Sequence, residues 1–185
     1  MNVFDFDKTV YLHESTSGFY RYCALRRPLA LLWLPVAGWY GLLRLLKLVD
    51  TGRMKEAFHG YLRVVPDAEA LVSRFWDRQL GETPRWFREL QAQGGLVITA
   101  SPEFIVGEAC RRLGLPCLGT RIDIHSGKLT GPNCKGAEKV RRFREAYPAE
   151  PVEAFYSDSL TDSPMAALAS RAYLVRGEAL SPWPD

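Results

Sequence analysis

Asp5 and Asp7 are the residues of this chain best placed to do chemistry. They close a short apolar run at the amino terminus, stand two positions apart, and are followed at once by Lys8, Thr9 and Val10. A strand alternates its side chains, so residues i and i+2 point the same way. Both carboxylates therefore sit together at the carboxyl end of a strand, where open α/β sheets place their ligands. One can attack while its neighbour handles a proton; a solvated loop end is the plainer reading of such a pair. Three further polar groups follow apolar runs or open a helix. Leu96, Val97 and Ile98 lead into Thr99, Ala100 and Ser101. Lys135 opens a helical stretch through Phe143. Residues 152–156 close on Ser157, Asp158, Ser159, Leu160, Thr161 and Asp162.

The elements that must position these groups follow from periodicity. After the first strand, residues 15–93 carry helical spacing with few strand signals. Then come a strand at 96–100, a helix at 103–113, a strand at 117–121 and a hairpin over 122–130 turning at Ser126-Gly127. A helix at 135–146, a strand at 152–156, a short helix at 162–169 and a strand at 171–175 complete the pattern, and residues 181–185 read as a loose tail. With 185 residues, 47% of them apolar, the chain suits one core domain plus an insertion. Net charge is +3, and the arginines are spread over amphipathic helices without interleaved aromatics, which argues against nucleic acid as a partner. Cys23, Cys110, Cys117 and Cys134 form no Cys-x-x-Cys pair. With a strand beginning at residue 1 no cleavable leader is expected, so they read as reduced, mostly buried thiols of a cytoplasmic protein. His13, His59 and His125 are too scattered for a metal cluster; His13 alone lies near the first carboxylates and is a candidate substrate contact.

In this order the segments resemble the four motifs of the haloacid dehalogenase-like hydrolases: Asp5-Phe6-Asp7-Lys8-Thr9, Thr99, the Lys135 region, and Asp158-x-x-x-Asp162. The resemblance implies a Rossmann-like αβα core with a mainly parallel sheet (residues 1–14 and 94–185) and an inserted α-helical cap (residues 15–93). It also implies a phosphomonoesterase using Mg²⁺. Asp5 would be the nucleophile that forms an aspartyl-phosphate, and Asp7 the general acid and base. Asp5, the Asp7 backbone carbonyl and Asp158 would hold the metal, with Asp162 as a further ligand or support. Thr99 would donate to a phosphoryl oxygen, and a lysine would neutralise charge on the transferring group. Lys135 is favoured for that lysine, with Lys139 one turn further on as the alternative. Ser101 is a candidate substrate contact. Glu14 falls where phosphoserine phosphatases keep a carboxylate for the substrate amine, although an acidic residue opening a helix also suits the helix dipole.

Residues 29–43 are uncharged for fifteen positions, flanked by Arg26 and Arg27 on one side and by Arg44 and Lys47 on the other, with Pro35 expected to bend the run. A membrane span needs about 20 apolar residues, so a spanning helix is not expected. Either the run packs inside the cap with its tryptophans as core, or it lies in a membrane interface with Trp33, Trp39 and Tyr40 at headgroup depth. Arg26-Arg27-Pro28, Thr99-Ala100-Ser101-Pro102, Asn133-Cys134-x-Gly136-x-Glu138-Lys139 and Tyr156-Ser157-Asp158-Ser159 resemble the phosphatidylglycerophosphatase C branch. That likeness implies a lipid phosphate as substrate and a peripheral place, through residues 29–49, at the inner face of a membrane. Lys8 and Lys135 depart from that branch. A small ester such as phosphoserine, phosphoryl transfer to an acceptor other than water, and a catalytically silent phosphate-binding or membrane-interaction module remain as other readings.

Overall fold

The computed structural model describes residues 1–81 and 83–184; Glu82 and Asp185 lie outside them. Six strands form one sheet: β1 (Asn2–Phe4), β2 (Leu96–Pro102), β3 (Cys117–Thr120), β4 (Val152–Ser157), β5 (Ala169–Arg176) and β6 (Ala179–Pro182). Their order is β3-β2-β1-β4-β5-β6, parallel up to β5, with β6 antiparallel on the edge. Central parallel strands are covered on both faces and so read as continuous apolar runs. Val3, Leu96, Ile98 and Phe155 point to one side, onto Phe143 and Met165. Phe4, Val97 and Tyr156 point to the other, where the Phe4 ring stacks on Tyr156 at 5.1 Å and meets Phe87 edge-on at 5.3 Å. This is the Rossmann-like α/β layering. Because β1 lies between β2 and β4 with Val3 opposite both Leu96 and Phe155, the carboxyl ends of three strands reach the same edge. That edge is the switch point of the sheet.

The helices are α1 (Ser15–Ala24), α2 (Leu34–Leu45), α3 (Thr51–His59), α4 (Ala68–Gln79), α5 (Arg85–Gln91), α6 (Glu103–Leu113), α7 (Ala137–Ala146) and α8 (Ser163–Ala166). Residues 15–93 contribute helices and no strand among the described residues. Their second half packs on the sheet layer: Trp76 of α4 lies edge-on to Phe6 at 5.6 Å and donates to the Ile105 carbonyl at 2.8 Å, and Trp86 of α5 stacks on Tyr156 at 5.2 Å. The stretch between is different. A 3₁₀ turn, Pro28–Trp33, packs on a second one, Gly60–Val64, and α2 packs along α3. Pro35 starts α2 instead of bending it, since proline is tolerated in a first helical turn. No residue of α2 is buried. Trp33 alone turns inward, so close to Gly60 that a Cβ there would meet its ring at 1.9 Å. The expectation that both tryptophans join a core therefore holds for Trp33 and fails for Trp39, which is 58% exposed.

Several element boundaries differ from those expected. The helix expected from 135 begins at Ala137, because Gly136 adopts φ +59°, ψ −127° and breaks the chain direction. The helix expected at 162–169 is a 3₁₀ turn, Leu160–Asp162, followed by the one-turn α8, with Pro164 in its first turn. The tail is ordered through Trp183: Gly177 (φ +60°) turns the chain back, β6 pairs with β5, and the Trp183 N–H donates to the Ala172 carbonyl at 2.9 Å. An edge strand tolerates Pro182, which a central strand would not.

The hairpin expected over 122–130 is present as a single antiparallel bridge, Ile122 with Leu129. Its turn rests on α3. Gly127 has φ +73°, and a Cβ there would lie 2.2 Å from the His59 carbonyl oxygen. Leu129 N–H donates to Glu56 at 3.0 Å, and Arg63 donates to the Ser126 carbonyl at 3.2 Å. Gly127→Ala is therefore expected to destabilise the protein by more than the roughly 1 kcal/mol that the left-handed backbone alone costs. A thermal melt checks this, and an unchanged midpoint would show that the hairpin does not bear on α3.

Candidate active site

The carboxyl edge of the sheet opens into a cavity of about 440 Å³, walled on the far side by α3. Asp5 follows β1 directly, held by its N–H donating to the Tyr156 carbonyl at 2.8 Å. Its Oδ1 accepts from Lys139 Nζ at 2.7 Å, and the same ammonium donates to Asp162 Oδ2 at 2.7 Å. Ser157 Oγ also donates to that Asp162 oxygen, at 2.9 Å. Lys139 is only 1% exposed, so its charge is sustained by the two carboxylates. Burial works against that charge, and Asp5 and Asp162 outweigh it and hold the lysine protonated. Burial pushes the Asp5 carboxyl up to about 6, with Lys139 opposing and the Asp162 charge reinforcing the rise.

Asp7 is oriented from two directions. Its Oδ1 accepts from the Ser15 N–H at the start of α1 at 2.7 Å, and its Oδ2 accepts a short hydrogen bond from Ser101 Oγ. Burial raises its carboxyl, and the bonds from Ser101 and Ser15 oppose the rise. Thr99 is buried in the middle of β2. Its Oγ1 accepts from the Ser101 N–H at 3.1 Å, which leaves its own hydroxyl proton free to be donated. Asp158 follows β4 and is anchored by its N–H donating to Thr9 Oγ1 at 3.1 Å. Burial, then the Asp5 charge, raises Asp158.

The structure thus brings together Asp5, Asp7, Thr99, Ser101, Asp158, Asp162, Glu14 and both lysines around one cavity. The two lysines differ in what they reach. Lys139 reaches Asp5, whereas Lys135, left in the loop by the break at Gly136, is exposed at the cavity wall. His13 is not gathered in. It lines a separate groove with Tyr11 and Arg21 and meets the Tyr11 ring edge-on at 5.4 Å. Glu14 does reach the cavity but is in an ion pair with Lys8, whose φ of +56° turns its side chain back toward it. The sequence reading missed Lys55 and His59. The available signal was weak: Lys55 and His59 are four apart, and Met54, Lys55 and Phe58 share one face of α3 while Arg53, Glu56 and Ala57 share the other.

The donor set suits a hard divalent cation. Asp5 and Asp158 present oxygens to one cavity, and each disfavours the other's charge, a repulsion that a cation relieves. Among the described residues no group of three or more His, Cys, Asp or Glu forms a complete cage. Mg²⁺ rarely uses one, being bound by one or two carboxylates with water and substrate phosphate. Asp162 is committed to Lys139 and Ser157 through one oxygen, which makes it a support for the lysine first.

A family model of the haloacid dehalogenase-like hydrolases matches residues 3–167, and the chain belongs to that family. It is similar to Protein CicA of Caulobacter vibrioides, with 30% identity over 190 residues covering 90% of this chain and 81% of that protein. A shorter match, 39% identical over 89 residues, covers 43% of the chain and 31% of a Mycobacterium tuberculosis protein named "Probable phosphatase Rv3661". Among solved structures, one described as a probable phosphoserine phosphatase from Vibrio cholerae has a similar fold. Its TM-score is 0.68 at 13% identity, over 92% of this chain and 55% of that one. The protein is a hydrolase of the haloacid dehalogenase-like family.

Proposed function

We propose that this hydrolase is a Mg²⁺-dependent phosphomonoesterase that works through an aspartyl-phosphate and draws a lipid phosphate, such as phosphatidylglycerophosphate, from a membrane surface. Asp5 attacks phosphorus, and the ester P–O bond breaks as Asp7 gives its proton to the departing oxygen. Asp7 then takes a proton from water, whose oxygen attacks phosphorus and releases Asp5. Thr99 donates to a phosphoryl oxygen. Lys139 fixes Asp5 and balances the charge around it. Asp5, Asp158 and the Asp7 carbonyl would hold Mg²⁺, which when bound would supply the positive charge that lets an anionic phosphate approach a carboxylate.

The observation that carries the lipid reading is the apolar surface beside the cavity. Leu32 (68%), Trp39 (58%) and Leu45 (79%) are exposed on a segment whose supporting helix, α3, lines the site with its opposite face. Patches of this kind mark protein or membrane contacts. By length and composition Pro28–Leu45 can cross a membrane, and only 6% of it is buried. An in-plane seat is better supported: Ala30 is fully buried, the Tyr20 hydroxyl donates to its carbonyl at 3.3 Å, and α2 lies along α3. Arg26, Arg44 and Lys47 flank the patch and suit anionic headgroups. A phosphoserine-like substrate would need Glu14 for its amine, and Lys8 already pairs with that carboxylate.

Phosphate release from phosphatidylglycerophosphate in anionic vesicles is expected with Mg²⁺ and absent with EDTA. The enzyme should sediment with those vesicles, and Trp39→Glu should sediment markedly less. Faster hydrolysis of phosphoserine, with no vesicle binding, would discard the lipid reading. Retained vesicle binding without hydrolysis of any ester would leave the non-catalytic module, and a phosphorylated product in added alcohol would indicate transfer.

A further inference from the structure

Resting on the phosphomonoesterase reading above, we propose that Lys55 and Lys135 form a second anion subsite of the cavity, which holds an anionic group that the substrate carries besides the phosphate being removed. Four lysines line this cavity. Lys139 is committed to Asp5 and Asp162, and Lys8 to Glu14. Lys55 and Lys135 have no carboxylate at ion-pair distance among the described residues, and the Lys135 charge lies near enough to disfavour that of Lys55. The one carboxylate whose charge favours Lys55 is Asp7, beyond ion-pair distance, so an anion that joins the two ammonium groups would be stabilised there.

Lys55 is also pre-arranged. Its Nζ donates to the Ala100 carbonyl at 2.6 Å and to Asn133 Oδ1 at 2.5 Å, and Asn133 is itself fixed by Thr120 Oγ1 at 3.0 Å. Both partners are neutral oxygens, so they orient the ammonium without cancelling its charge, and one of its three donors stays free. Burial, then the Lys135 charge, brings Lys55 down to about 8. The same wall carries His59, whose Nδ1 faces the Lys55 carbonyl at 2.8 Å. A carbonyl only accepts, so Nδ1 carries the proton and Nε2 is an acceptor, buried and without a hydrogen-bond partner among the described residues. An acceptor beside Lys55 suits a substrate with a hydroxyl near its second anionic group.

Soluble esters separate this subsite from membrane binding. With Mg²⁺ present, kcat/KM is measured for glycerol phosphate, which has no second anion, for 3-phosphoglycerate, which has a carboxylate, and for glycerophosphoglycerol phosphate, which has a phosphodiester. The second-anion substrates should be preferred, and which is better identifies the anion. In Lys55→Gln/Lys135→Gln the preferred one should lose roughly 10- to 100-fold, mainly in KM, while glycerol phosphate changes little and Lys55→Arg restores most of the loss. Equal losses for all three esters, or no preference in the parent enzyme, would overturn the subsite. If none is hydrolysed, the phosphomonoesterase reading falls instead. Calorimetric binding of glycerophosphoglycerol, the diester alone, then decides: binding lost in the double variant supports the subsite, and no binding to the parent refutes it.

Discussion

Asp5→Asn is expected to abolish Mg²⁺-dependent phosphate release, by on the order of 10⁴-fold or more, while leaving the fold in place. The amide has almost the shape of the carboxylate, and its oxygen still accepts from Lys139, which keeps Asp162 as its ionic partner. What is lost is the nucleophile. Asp5 is the first residue past the central strand, pinned through its backbone to Tyr156, so no neighbouring carboxylate can take its place without moving the sheet edge. Asp7 has both oxygens held by Ser15 and Ser101, and Asp162 is closed off by Lys139 and Ser157. Acid-quenched parent enzyme should carry a phosphoryl group on the peptide containing Asp5, and the variant should carry none. A variant that melts like the parent and keeps more than a few per cent of its activity would remove Asp5 from the nucleophile role.

The strands behind this site were legible because central parallel strands have little sequence freedom. β1, β2 and β4 each read as a largely apolar run that ends at or just before a site residue: Asp5, Thr99 and, one position past Ser157, Asp158. What periodicity could not give was direction at the joints. A helical pattern traced back from Phe143 runs smoothly through Lys135, and only the positive φ of Gly136 shows that the helix starts two residues later. That single backbone choice puts Lys139, and not Lys135, against Asp5. Prolines made the tail look loose, although an edge strand has unpaired positions where Pro182 fits. Lys55 was hidden for another reason. It lies more than forty residues from Thr99 in sequence, and only the folded chain brings its ammonium to the Ala100 carbonyl and Asn133. The apolar run showed its composition but not its facing, since Trp33 and Trp39 differ only in which finds a glycine to pack on.

Lys139→Met tests the arrangement from the opposite side and should be the most damaging single change to the fold. Methionine matches the aliphatic stem of lysine but leaves Asp5 and Asp162 buried without the ammonium between them. Breaking a buried pair in this way costs about 3–5 kcal/mol, a large share of the roughly 5–15 kcal/mol that holds a domain of this kind together. Activity should vanish with it, because an Asp5 that takes up a proton to relieve the repulsion is no longer a nucleophile. Asp162→Asn in the Lys139→Met background separates the two losses. Removing one of the stranded charges should restore much of the melting temperature and none of the activity, a non-additive result expected for residues in one network. Raising Mg²⁺ should lift the melting temperature of Lys139→Met more than that of the parent, since a cation at Asp5 replaces part of the missing charge. If Lys139→Met instead folds and turns over normally while Lys135→Met is inactive, the loop lysine is the one that serves the phosphate, and the contact between Lys139 and Asp5 is only a buried ion pair.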